Sequence, residues 1–406
     1  MTSALPAERE YSLSDARARI ESELLRLGLQ LKETILGERI GSVLVDLQAE
    51  PSQQRAAGSG KGTLEEAAIG ARFEALEHYL DEHQPRQLQL LSTASLVDDR
   101  YLQEDFLQPW LKAQPDRHLA CQQYTDIHAN PLFAYPITVT RPDYADQLMP
   151  GDTFEHSGLR RYSSNDGAAI GASRDEALLH ALNQLIERDA LSLFMLRHFY
   201  YQRRDPLMQV ERPCASSPLA GFWAEAERCL ASPIIVLDIS NEFASRSFLA
   251  FCLRPGSPLQ ASVVGCGTSL DPWHGVRRAL SELVQLQLNS QIPQAARQLQ
   301  QAAGQFAAWP KLRRCQRRDI AALLGNTRSC PLPVPTAQPS VAEQLRRLID
   351  DLQQHGHVVG ICEVFRGAQG ISLVNALVPG LERFHLIWSG NLVLPGPRGR
   401  RLAQAQ

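Results

Sequence analysis

Glu74 and Glu77, Gln184 and Glu187, and Glu282 and Gln285 form three pairs of acid or amide side chains, each pair three residues apart. On a helix that spacing puts both members on one face. Several carboxylates brought to one pocket are costly unless cations neutralise them. Oxygen-only ligation favours Mg2+, which takes few protein carboxylates and completes its octahedron with water and substrate phosphates. Arg188 and Arg278 lie in the same stretches, and a guanidinium can grip a phosphate with two parallel hydrogen bonds. The run Ser163-Ser164-Asn165-Asp166-Gly167 supplies short side chains near a helix start, where phosphates or an ion can be held. Together these parts describe a nucleotide site without a Walker motif. The same acids and arginines would also make an interhelical salt-bridge network, and residue types alone leave that alternative open.

The elements that must position these residues read as three similar units. Ser173 is the N-cap of a central helix, with Glu176 completing a capping box and Leu178, Leu179, Leu182 and Leu185 forming the buried stripe. Gln184, Glu187 and Arg188 then share one face. Gly62-Thr63-Leu64-Glu65-Glu66-Ala67 leads in the same way to Glu74 and Glu77, and Gly267-Thr268-Ser269-Leu270-Asp271 leads to Glu282 and Gln285. In register, Ala67, Ala177 and Gly275 coincide, as do Ala71, Ala181 and Ala279. The copies lie too far apart for a solenoid of short repeats. They read as three dispersed helices serving one centre.

Along the chain, Ser14–Leu36 has the apolar spacing of one amphipathic helix, Ile40–Leu47 reads as a strand, and Arg55–Gly62 as a flexible loop. Lys61 is followed by Gly62 where a Walker loop needs Ser or Thr. Phe133–Val139 reads as an edge strand interrupted by Pro136. Leu191–Tyr201 prolongs the central helix up to the Asp205-Pro206 stop. Pro233–Ile239, Phe248–Leu253 and Ala261–Val264 read as strands, and Gln294–Ala308 as a helix or lid. Pro331–Pro339 reads as a connector, Val341–Gln354 as a helix, and His357–Val364 and Ile371–Val378 as strands. The final Pro395-Gly396-Pro397-Arg398-Gly399-Arg400-Arg401 reads as irregular. Strand blocks alternating with helices give an α+β architecture with a mixed sheet.

At 44% hydrophobic and 21% charged residues, the composition is that of a soluble globular protein. A net charge of −3 makes no electrostatic case for nucleic acid or an anionic membrane. No apolar run reaches the roughly 20 residues of a membrane span, and the N-terminus lacks a secretory pattern. The eight cysteines include no Cys-x-x-Cys, which argues against structural zinc and fits reduced thiols in the cytoplasm.

Gly60-Lys61-Gly62 with Glu74-x-x-Glu77, the Ser-Ser-Asn…Gly-Ala-Ala block, Glu-Ala-Leu-Leu-His-Ala-Leu ending Ile186-Glu187-Arg188-Asp189, and Arg278-Ala279-Leu280-Ser281-Glu282 with Gln285 resemble the YcaO family. Val378-Pro379-Gly380-Leu381-Glu382 is similar to that family's late signature. The resemblance runs from about Arg39 to near the C-terminus. It implies an N-terminal helical segment over 1–38, an ATP-binding catalytic domain over 39–390 and a Pro/Gly/Arg-rich tail over 391–406. It also implies an enzyme that uses ATP and Mg2+ to phosphorylate peptide backbone amides. Attack by Cys, Ser or Thr then gives azolines, while relatives make thioamides or amidines. By motif match, Glu74, Glu77, Gln184, Glu187 and Glu282 would hold Mg2+ or order its waters. Lys61, Ser163, Ser164, Asn165, Asp166, Gln184, Arg278 and Gln285 would line the nucleotide, and Glu187, Arg188 and Arg278 would be catalytic.

The resemblance further implies a ribosomally made precursor peptide as substrate and a separate leader-peptide-binding protein. A flavin dehydrogenase in the same complex and assembly as a homodimer or hetero-oligomer would also fit. This chain departs from the family at Gln184, where Glu is usual, at Gly70 for Ser and at His78 for Arg. One extra residue leaves either Asn165 or Asp166 at the family's Asn position. The ending also lacks the Pro-x-Pro-x-Pro that is frequent among ring-forming members. Thioamide formation, an accessory role in ribosomal protein modification and a non-catalytic scaffold are the rival readings, and Gln184 is the feature that favours the scaffold.

Overall fold

The computed structural model, which describes residues 5–49, 54–257, 260–334 and 339–404, places each acid-bearing helix directly after a strand. Helix α1 (Leu13–Arg26) is followed by a three-stranded antiparallel sheet of β1 (Leu29–Gly37), β2 (Ile40–Ala49) and β3 (Arg55–Thr63), and then by α2 (Leu64–His83). Next come β4 (Leu88–Ser92), β5 (His118–Thr125), β6 (Pro131–Pro136) and β7 (Ala168–Gly171), followed by the central helix α3 (Arg174–Met195). The third block holds β8 (Leu207–Val210), α4 (Pro218–Leu230), β9 (Ile234–Asp238), β10 (Arg246–Cys252), β11 (Val264–Ser269) and α5 (Pro272–Asn289). Helices α6 (Pro293–Gly304) and α7 (Pro310–Arg317), strand β12 (Thr327–Cys330), helix α8 (Val341–Gln354), strands β13 (Gly360–Arg366) and β14 (Ser372–Leu377) and helix α9 (Pro397–Gln404) complete the chain.

Three sheets result. Besides β1-β2-β3 there is a five-stranded sheet, β11-β10-β9-β8-β12, in which only β8 and β12 run parallel. The third is antiparallel, in the order β4-β5-β13-β14-β7, with β6 added on β5. Helix α3 touches β7 and β14 of this sheet and β11 of the five-stranded one, while α5 touches β11, β10, β2 and β3. The acid-bearing helices are therefore shared between sheets, which carries their polar faces into the interior.

The small residues that recur in register explain how the helices get so close. A Cβ on Gly60 of β3 would overlap the carbonyl of Ala67, and one on Gly267 of β11 would overlap the carbonyl of Gly275. Helix backbone lies directly on strand backbone at both places, an approach only glycine permits. The three glycine- or alanine-rich starts are thus strands, and Arg55–Thr63 pairs along its length with β2.

Several expectations change. Ser14–Leu36 is not one helix: α1 stops at Arg26, and Leu29–Gly37 pairs with β2. The third strand of the central β block is Val264–Ser269, and Gln260–Ser262 is a 3-10 turn. Strand β6 ends at Pro136, and Ile137–Thr140 forms a helical turn. The central helix continues past Met195 as a π-helical turn, Leu196–Tyr200. The segment from Pro397 is helical, not irregular. Part of the Pro331–Pro339 connector, 335–338, lies outside the described residues.

Gly60→Ala and Gly267→Ala should each lower stability by about 3 kcal/mol, because the clash is with backbone that cannot repack. Gly221→Ala, on α4 with open space around it, should raise stability slightly through helix propensity. Urea midpoints compare the three, and equal midpoints would contradict the close strand–helix packing.

Candidate active site

Strand β3 is stitched to two of the acid-bearing helices. The Lys61 ammonium donates to Glu282 Oε2 of α5 at 2.5 Å. Gln285 Nε2 donates to the carbonyl and hydroxyl oxygens of Ser59 at 2.6 and 2.7 Å, and the Ser59 amide donates to Glu74 Oε2 at 3.2 Å. Glu77, one turn further along α2, accepts from the Ile170 amide of β7 at 2.9 Å. Glu187 of α3 is buried, with Arg188 Nη1 3.5 Å from its Oε1. Burial pushes the Glu187 carboxyl up, and the Glu282 charge adds to this. Glu74 and Glu77 are likewise raised by burial, Glu77 further by its neighbour Glu74. Burial acts on Glu282 in the same direction, but Lys61, Arg188 and Arg278 outweigh it and hold that carboxyl below its ordinary value. Glu74 of α2 and Glu187 of α3 thus both feel the charge of Glu282 of α5.

The loop 163–167 closes one side. Ser163 donates to the Thr138 carbonyl, and Ser164 donates to Asp166 Oδ2 at 2.6 Å and accepts from Arg383 at 2.7 Å. Asp166 also meets His385 Nε2 at 3.0 Å and Arg188 Nε at 3.3 Å. Burial opposes its charge, yet His385, Arg188 and Arg383 hold Asp166 well below the carboxylate range, so it is ionised. Burial lowers the His385 imidazole below its ordinary value, against the pull of the Asp166 carboxylate. Asn165 is exposed, so Asp166 is the loop residue tied to the helix charges. Gln184 Oε1 accepts from the Gly167 amide at 2.8 Å, which pins the loop to α3.

Arg278 donates to His180 Nδ1 at 3.3 Å and lies 3.8 Å from the Glu8 carboxylate. Two surface clefts, of about 690 and 630 Å3, are lined by none of the expected residues. Of the expected set, Lys61, Glu74, Glu187, Glu282, Gln285 and Arg188 come together. Glu77 and Gln184 are engaged by backbone amides, and Asn165 stands apart.

Residue types did not disclose Glu8, His180, Arg383, His385 or Arg398. Arg398, from the segment expected to be irregular, forks onto Asp189 at 2.8 and 3.0 Å, directly after Arg188 in the chain. Glu382 accepts from the amides of Arg383, Gly396 and Gly399 and so fastens that segment down. The one available signal was Glu382 itself, in the Val-Pro-Gly-Leu-Glu run.

A mixed-sheet α+β protein with three helices feeding carboxylates and cations to one buried centre belongs to the class of nucleotide-site proteins without a Walker loop. Residues 59–382 match the family described as YcaO cyclodehydratase, ATP- and Mg2+-binding, and the chain belongs to the YcaO family. It is 25% identical over 345 residues to an uncharacterized protein in the tfuA 3' region of Rhizobium leguminosarum bv. trifolii, covering 80% of this chain and 76% of that one. A heterocyclase in complex with substrate and cofactor superposes with TM-score 0.66 at 17% identity; it covers 93% of this chain, which spans only 54% of the heterocyclase. YcaO from Methanopyrus kandleri bound with AMPPCP and Mg2+ superposes at 0.61 with 17% identity, covering 92% of this chain and 90% of that one.

ATP and Mg2+ are the cofactors of this family, and the donor set fits them. Glu187 Oε2 and Arg278 Nε, of opposite charge, are both buried without a hydrogen-bond partner among the described residues. Among those residues no group of three His, Cys, Asp or Glu forms a ready metal cage.

Burial raises the Glu382 carboxyl to about 7 from an ordinary 4.5, against three amide donors. A raised folded-state value means its stabilising contribution is full below about 4.5 and is lost as pH rises through about 7. Unfolding free energy should therefore fall by up to about 3 kcal/mol across that window. Glu382→Ala should flatten this slope in urea titrations. An unchanged slope in the variant would contradict the assignment.

Proposed function

We propose that this protein uses ATP and Mg2+ to phosphorylate backbone amide oxygens of a ribosomally made precursor peptide, and that a neighbouring Cys, Ser or Thr side chain closes each activated amide into an azoline. The observation that carries this reading is the convergence of Glu74, Glu187 and Glu282 on one buried centre beside Lys61, Arg188 and Arg278. In the reaction the amide oxygen accepts the γ-phosphoryl group. The side-chain sulfur or oxygen bonds to the amide carbon and gives up its proton. The carbon–oxygen bond then breaks, phosphate leaves with the former amide oxygen, and the nitrogen loses its proton as the ring C=N forms. Bound Mg2+ would offset the charge on the transferring group.

Glu187 and Glu282, with Glu74 behind them, are the residues that would hold Mg2+. Lys61 and Arg278 would take the phosphates once Lys61 parts from Glu282, and Ser164 would donate from the loop. Arg188 braces the site between Glu187 and Asp166. Gln184 acts by holding Gly167, so an amide serves there as well as a carboxylate would. A separate leader-peptide-binding protein would deliver the substrate. The position of the Rhizobium relative beside tfuA supports a search for that partner among neighbouring genes.

A second reading, oxygen-to-sulfur exchange to a thioamide with a sulfur-delivering partner, draws on the C-terminal segment. There Pro395–Pro397 leads into α9, and Arg398 is clamped on Asp189.

Phosphate release from ATP with Mg2+, the neighbouring gene products and their candidate peptide, followed together with peptide mass, tests both. Loss of one water per modified residue, tied to ATP use and reduced roughly 10²-fold or more by Glu187→Ala, is the expected result. Oxygen-to-sulfur mass gain would select the second reading. Absence of ATP turnover in every combination would leave a scaffold subunit as the account.

A further inference from the structure

Glu8 lies outside the residues matched to the family, yet its carboxylate is buried between α3 and α5. Asn183 of α3 donates to Glu8 Oε1 at 3.2 Å, and Ser269, at the end of β11, donates to the same oxygen at 2.5 Å. The other oxygen, Oε2, faces His274 Nε2 at 3.6 Å and Arg278 Nη1 at 3.8 Å. The backbone of Glu8 has a φ of 58°, in the left-handed region that costs a non-glycine residue energy. Its neighbour Glu10 is tied to the start of α3: its amide donates to Glu176 Oε1 at 2.6 Å, and Ser173 donates to its carboxylate. The Glu176 carboxylate is thereby spent on the amides of Glu10 and Ala172, so the capping box expected at Ser173 is only half formed. A short segment is pinned at one point so that a strained residue can put its acid at another.

The surroundings explain why an acid is needed. Burial and Arg278 hold His180 neutral, and burial and Arg278 bring His274 down to about 3. Neither histidine competes with Arg278 as a second cation, and among the described residues Arg278 forms its ion pair with Glu8. Arg278 also acts electrostatically on Glu282 and Glu187. It therefore links the Glu8 carboxylate to the acid centre.

We propose that Glu8 is a positioning residue for Arg278: the N-terminal segment anchors the guanidinium from behind so that its free edge is presented to the nucleotide phosphates. This rests on the reading of Arg278 as a phosphate contact. Glu8→Gln keeps the Oε1 that Asn183 and Ser269 use and removes only the charge facing Arg278, so docking of the segment is retained.

The test is calorimetric binding of a non-hydrolysable ATP analogue with Mg2+ to the full chain and to Glu8→Gln, Arg278→Ala and the double variant, with melting temperatures recorded alongside. Glu8→Gln should weaken binding about tenfold, as loss of an outer-shell partner does. Arg278→Ala should weaken it more, and the double variant should be no worse than Arg278→Ala, because Glu8 acts only through that side chain. Unchanged affinity in Glu8→Gln, or losses that multiply in the double variant, would overturn the positioning role even if Arg278 matters. Wild-type affinity in Arg278→Ala would instead overturn the phosphate reading, and the role of Glu8 with it.

Discussion

Everything in this structure answers to one constraint: carboxylates from three helices are buried together, and their charge has to be met. Lys61 meets Glu282, Arg188 bridges Glu187 and Asp166, and Arg278 adds a third cation. These do not suffice, since burial still leaves Glu74, Glu77 and Glu187 raised and, among the described residues, one oxygen of Glu187 without a partner. Breaking a buried ion pair by removing one member is far more damaging than replacing both. A centre built this way is tolerable in a protein whose ligand brings more positive charge, which a Mg-nucleotide does through its metal while offering phosphates to the arginines.

That centre exists because strand and helix backbones come into contact. Gly60 and Gly267 remove the side chains that would keep α2 and α5 off their strands, and the alanines and glycine on the facing turns complete the fit. The same closeness lets Ser59 and Lys61 of one strand reach two helices at once. Loop 163–167 is held to α3 through Asp166 and Gln184, and helix α9 is held to it through Arg398 on Asp189.

Much of this was readable in the chain, because repeated spacing is a strong signal. The matched pairs Glu74/Glu77, Gln184/Glu187 and Glu282/Gln285 named the helices, and the small residues in register with them proved to be the floor of the strand–helix contact. Val341–Gln354 was bounded correctly from the chain, and Ser340 caps it in the structure. Other features carried no local mark. Glycine, alanine and serine have weak strand preference, so β3 looked like a loop until its pairing with β2 was known. Leu29, Leu31 and Ile35 extend the apolar rhythm of α1 closely enough to hide the turn at Leu27–Gly28. Glu8 and Arg398 are common charged residues near the ends of the chain, and only tertiary packing gives them their partners.

The central claim is that the three helices share one nucleotide site, and a crystal structure with Mg2+ and a non-hydrolysable ATP analogue tests it most directly. The account predicts phosphates against Lys61 and Arg278, Mg2+ within coordination distance of Glu187 and Glu282, and Lys61 parted from Glu282. Nucleotide bound elsewhere, for instance in the cleft beside α8, with Lys61 still on Glu282, would contradict it.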